Sequence, residues 1–183
     1  RRSRSSAYDQ GMFFKFRRMR AMDPLQVAMT GVRMGERYLQ IFCSDTTLTS
    51  GLATKAGLSG VAALAAPDES QASRARGVAS KAGALIDVQV TAVAGPLPWQ
   101  RESFDMVVID NTGGSFSQLA ERERATLSQQ ARDMLRQGGR VELIERTKAS
   151  PTASEEALRS AGFKPVRMLA EKGGFRFLEG LKG

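Results

Sequence analysis

The chain has 183 residues, 42% hydrophobic and 25% charged, which suits one soluble domain with a single core and excludes a disordered chain. It holds no histidine and one cysteine, Cys43, which rules out a Ser-His-Asp triad, a Cys-His pair, an internal disulfide and histidine- or cysteine-built metal sites within this chain. The net charge of +8 gathers at the amino end, where Arg1, Arg2, Arg4, Lys15, Arg17, Arg18 and Arg20 face one acid, Asp9, over the first 20 residues.

That end, residues 1–22, reads as a basic arm or helix carrying Tyr8, Phe13, Phe14 and Phe16. Two readings stand: contact with nucleic acid or an acidic membrane surface, or aromatics packed on the domain with arginines in water. A domain follows from residue 23. Pro24 to Met34 has Leu25, Ala28 and Met29 at helical spacing before Gly31. Tyr38 to Cys43 is nearly all apolar, as in a parallel strand buried on both faces. Leu48 to Leu58 predicts a helix ending near Gly57, Val61 to Ala66 a second strand, and Pro67-Asp68-Glu69-Ser70 leads into a helix that ends by Gly83.

Ile86 to Val90 is the third strand, followed by the long loop TAVAGPLPWQRES and a fourth strand, Phe104 to Ile109. The longest helix is expected from Ser117 to Leu135, closed by Gly138-Gly139, with a fifth strand from Arg140 to Glu145. After a helix near Thr152 to Ala161, Lys164 to Leu169 and Phe175 to Leu178 flank Gly173-Gly174, a hairpin pattern. Strand and helix alternation predicts an α/β fold, a doubly wound, mostly parallel sheet ending in an antiparallel β-hairpin. No apolar run reaches the roughly 18 to 20 residues of a membrane span, so a cytoplasmic location is expected.

Several phrases together resemble the class I S-adenosylmethionine-dependent methyltransferases. Gly35-Glu36-Arg37-Tyr38-Leu39 is similar to the approach to that family's first strand, and Leu97-Pro98-Trp99 with Ser103-Phe104-Asp105-Met106-Val107-Val108 to its "LPF…SFDLVV". Met134 to Val141 is similar to "hLRPGGRh", and Ala161-Gly162-Phe163 to the turn before the last hairpin. Ala7-Tyr8-Asp9 looks like the start of the small-molecule, type 11 branch that includes quinone methyltransferases. The resemblance implies a seven-stranded Rossmann-like methyltransferase domain over 23–183, with S-adenosylmethionine as cofactor and a small-molecule acceptor.

It also implies site positions, and this sequence departs from them. The family pattern D-x-G-x-G-x-G at the end of the first strand puts Gln40 at the acid and Phe42, Ser44 and Thr46 at the glycines. The ribose-binding acid after the second strand aligns with Ala66, with Asp68 or Glu69 as a displaced substitute, and the acid near the adenine with Val93. Asp68 reads equally as a helix-start acid. Asp110, in Asp110-Asn111-Thr112, stands where the family places groups beside the acceptor; it is the candidate catalytic base, or ordinary turn chemistry. Tyr8 caps the pocket from the arm or simply packs. Three functions follow: methyl transfer to a small acceptor through an altered cofactor turn, a catalytically inactive scaffold or subunit in a protein assembly, or nucleic-acid binding through the arm.

Overall fold

The computed structural model describes residues 24–148 and 150–183. The expected basic arm therefore lies outside the described residues, and so does Tyr8. Seven strands form one mixed sheet in the order β3-β2-β1-β4-β5-β7-β6. They are β1 (Arg37–Ile41), β2 (Val61–Ala66), β3 (Asp87–Val90), β4 (Phe104–Asn111), β5 (Leu135–Arg146), β6 (Val166–Lys172) and β7 (Phe175–Leu181). The first five pair in parallel, and β7 runs antiparallel to both β5 and β6.

Helices cover both faces, which is why the central strands are apolar throughout rather than alternating. On one face α1 (Leu25–Thr30) and α2 (Thr46–Ala56) bring Val27, Leu48 and Leu52 against Tyr38, Met106 and Val108. On the other, α4 (Glu121–Met134) and α5 (Pro151–Ser160) bring Leu127, Ala131 and Leu158 against Leu39, Ile41 and Val107. The edge helix α3 (Glu69–Lys81) buries only the small side chains Ala72, Ala75 and Ala79.

Helix α1 stops at Thr30, at the glycine expected to stop it, because Gly31 takes a left-handed conformation, φ 64°. Two boundaries differ from expectation, each for a tertiary reason. Helix α4 begins at Glu121 rather than Ser117, because the Asn111 side chain accepts from Phe116 N and Ser117 N at 2.9 and 3.1 Å and holds that segment in turns. Gly138-Gly139 does not close α4 but lies within β5: Gly138 N donates to Lys182 O, and Lys182 N to Gly139 O, each at 2.9 Å. The helix ends earlier because Leu135 is already extended and paired with Phe104. The segment 91–103 is the loop expected, without helix or strand.

Candidate functional site

The strand order reverses between β1 and β4, and a sheet of this kind opens its ligand crevice outside the carboxyl ends of the strands at that point. Two turns meet there, 42–45 after β1 and 110–115 after β4. Here they are joined. Asp110 Oδ2 accepts from Ser44 N and Asp45 N, both at 2.7 Å. Its Oδ1 accepts from Thr112 N at 3.1 Å and Thr112 Oγ1 at 2.6 Å. Cys43 N donates to Gln71 Oε1 at 2.7 Å, from the first turn of α3. Ser44 Oγ lies 3.5 Å from Ser115 Oγ, and a Cβ on Gly113 would stand 2.8 Å from Ser44 Oγ. The turns are in contact, and three consecutive backbone donors, at 43, 44 and 45, already have acceptors.

Electrostatics agree with this closure. Burial pushes the Asp110 carboxyl above the usual carboxylate range, while the hydrogen bonds from Asp45, Thr112 and Ser44 pull against that shift. The Cys43 thiol is raised by burial as well, with Thr49 hydrogen-bonded beside it pulling it back. It is a buried, free cysteine with no feature of an activated nucleophile.

Gln40 and Phe42 lie at the end of β1, but neither presents itself to a crevice. Gln40 is fully buried on the α2 face, where its amide donates to Phe42 O and Thr49 Oγ1, each at 2.9 Å. Phe42 has φ 69°, a conformation that glycine adopts freely and a phenylalanine rarely does. Its ring is buried in the cluster that holds Ala65, Ile109 and Phe116. Ser44 is half-buried with its N–H spent on Asp110, and Thr46 opens α2. Ala66 ends β2 fully buried beside Cys43 in the edge core. Asp68 is the N-cap of α3, accepting from Gln71 N at 2.8 Å. Val93 packs against the large core cluster. The structure thus brings Ser44 and Asp110 together and leaves Asp68 on helix-capping duty.

Four residues of this region were given no site role by the sequence reading: Asp45, Gln71, Thr112 and Gly113. Asp45 caps α2, its Oδ1 accepting from Thr47 N and Leu48 N, while its Oδ2 accepts from Gln26 Nε2. An Asp immediately before a helical run is a legible cap signal. Gln71 carries no local signal, since its task is set by a partner 28 positions away. A second buried network steadies the far side of the β4 turn. Glu145 Oε1 accepts from Arg176 at 2.9 Å, and its Oε2 from Ser154 at 2.8 Å and Asn111 at 3.2 Å. Among the described residues no group of three or more His, Cys, Asp or Glu side chains is placed to hold a metal ion.

No protein-family model and no curated protein matches the chain. Solved structures do match its fold. A SAM-dependent methyltransferase from Aquifex aeolicus superposes with a TM-score of 0.70 at 15% identity, covering 86% of this chain and 87% of that one. A SAM-dependent O-methyltransferase from Thermotoga maritima gives 0.68 at 14% identity, covering 85% and 62%. TrmN from Thermus thermophilus gives 0.66 at 21% identity, covering 86% of this chain and 46% of that one. At such identities the likeness is one of fold: the chain shares the architecture of these proteins, two of them SAM-dependent methyltransferases.

Proposed function

We propose that this chain is a methyltransferase-fold domain without methyl-donor chemistry, serving as a scaffold or subunit in a protein assembly. The observation that carries this reading is the closed switch point. Asp110 and Gln71 occupy the backbone donors of the turn on which the fold's cofactor would rest. The residues present therefore do not fit S-adenosylmethionine in the family's usual pose. Hydrogen bonds to a charged group are worth roughly 1.5 kcal/mol or more each, so freeing Ser44 N and Asp45 N costs about 3 kcal/mol, on the order of a hundredfold in affinity. The buried Phe42 ring and the apolar Ala66 at the ribose position add to that deficit. A subunit role also draws support from Leu58 and Leu85, exposed at 84% and 77%, which line one hollow together.

One observation favours a second reading, methyl transfer to a small acceptor with Asp110 as base: Phe42, which aligns with a glycine of the family pattern, has the positive φ that glycine adopts freely. Calorimetric titration of the protein with S-adenosylmethionine and S-adenosylhomocysteine separates the two. The scaffold reading expects no heat and no thermal shift at millimolar ligand. Binding at micromolar concentration would sink it. The double variant Phe42→Gly, Ala66→Asp restores one glycine and one acid yet leaves Asp110 in the turn, so it too should stay silent. A gain of binding there would favour the second reading.

A further inference from the structure

Away from the switch point, at the amino end of β4, a hollow of about 330 Å³ opens between the 94–101 segment and the last turns of α4. Leu97, Trp99 and Met134 supply its apolar lining, and Arg101, Gln130 and Asp133 its polar groups. The aromatic wall is held in place. Trp99 Nε1 donates to Asp87 Oδ2 at 2.7 Å, and its ring stands edge-on to Phe104, centroids 6.2 Å apart at 83°. The loop is also fastened to α4, with Glu102 N donating to Asp133 O at 2.9 Å and Gln130 Nε2 to Ala94 O at 3.2 Å. Glu102 sits at φ 59°, strained for a residue with a side chain, in the step that places Arg101 beside Asp133 at 3.0 Å.

The polar inventory is lopsided. Asp133 Oδ1 takes both Arg101 and Gln129, and no donor among the described residues reaches its Oδ2. Gln130 Oε1 has no partner either, but it is closed to solvent and out of a ligand's reach. One free carboxylate oxygen, one guanidinium and a fixed indole together define what fits. The ligand is a flat ring that donates from an exocyclic amine and accepts at the neighbouring ring atoms. Its volume matches the lower end of small-molecule cavities, roughly 300 Å³.

We propose that this hollow binds an amino-substituted heteroaromatic ring with a cytosine-type edge. The amine donates to Asp133 Oδ2, Arg101 donates to the ring nitrogen or carbonyl, and the ring lies against Trp99. The hollow lies toward the amino end of β4, whereas the turn that Asp110 closes lies at its carboxyl end.

Trp99 is the only tryptophan in the chain, so its fluorescence reports on this hollow alone. Titration of the full chain with cytidine should quench or shift that emission to saturation. Uridine, which carries a carbonyl in place of the amine, should bind on the order of tenfold more weakly, because acceptor then meets acceptor. Asp133→Asn and Arg101→Met should each cost cytidine on the order of tenfold while leaving the circular dichroism spectrum unchanged. The single indole N–H cross-peak in an NMR spectrum gives a second readout. No response to cytidine at millimolar concentration, equal binding of uridine, or a response that survives both substitutions would overturn the proposal. Tighter, salt-sensitive binding of oligocytidine would place the ring on a nucleic-acid strand, and equal binding would assign the free nucleoside.

Discussion

The two ends of β4 use polar groups in opposite ways. At its carboxyl end Asp110 gathers three backbone N–H groups and a hydroxyl, and the neighbouring turns leave no donor between residues 43 and 45 without an acceptor. At its amino end Asp133 and Gln130 each keep an acceptor oxygen that nothing among the described residues satisfies, beside a cavity with an aromatic wall. At the carboxyl end the two turns satisfy one another, while the amino end keeps acceptor oxygens that the described residues leave without donors. Unmet capacity of that kind marks a place to look for a ligand.

Asp110 carries the largest expected effect. Asp110→Ala strips acceptors from Ser44, Asp45 and Thr112. At roughly 1–3 kcal/mol per unsatisfied buried donor, it should destabilise the protein by about 3 kcal/mol or more in urea unfolding. A loss below about 1 kcal/mol would mean that water replaces the carboxylate and the crevice is open.

A buried carboxyl without such donors sharpens the point. Burial, then the facing Glu179, push Glu142 from 4.5 up to about 9, against the pull of Arg140 and Arg167. The folded protein therefore holds this proton between about pH 4.5 and 9 while the unfolded chain releases it, so stability falls as pH rises across that window. Glu142→Gln should flatten that slope and raise the melting temperature at pH 8, by an amount on the order of a few kcal/mol in stability. Parallel melting curves for variant and wild type from pH 5 to 9 would refute the assignment.

Smaller effects should follow from contact between the turns and from the hollow. Gly113→Ala puts a Cβ 2.8 Å from Ser44 Oγ and 2.9 Å from its Cβ, which should cost about 1–2 kcal/mol, read by the same unfolding assay. Asp133→Asn sits on a partly exposed residue with one oxygen unused. Its stability should change by no more than about 0.5 kcal/mol even as the proposed ligand is lost. An equal destabilisation at both sites would erase the distinction between a structural end and a binding end.

Much of this molecule is written locally. The apolar run at Tyr38 to Cys43, the alternation through Ile109 and the glycine turn at Gly173-Gly174 specify strands, helices and the closing hairpin, because hydrophobic periodicity and glycine conformation act over a few residues. The departures of Gln40, Phe42, Ser44, Thr46, Ala66 and Val93 from the cofactor pattern were also legible, as was the pairing of Asp68 with a helix start. Other features could not be read in advance. Asp110 meets Ser44 and Asp45 across 66 and 65 positions, and Gln71 meets Cys43 across 28. Helix α4 was expected four residues too early because the Asn111 side chain, acting from a strand end, holds the intervening segment in turns. Sequence by itself determined the elements and their order, since propensity and burial pattern are short-range. Only the tertiary structure decided which polar groups satisfy one another, because hydrogen bonds form between atoms that folding brings together, wherever they lie along the chain.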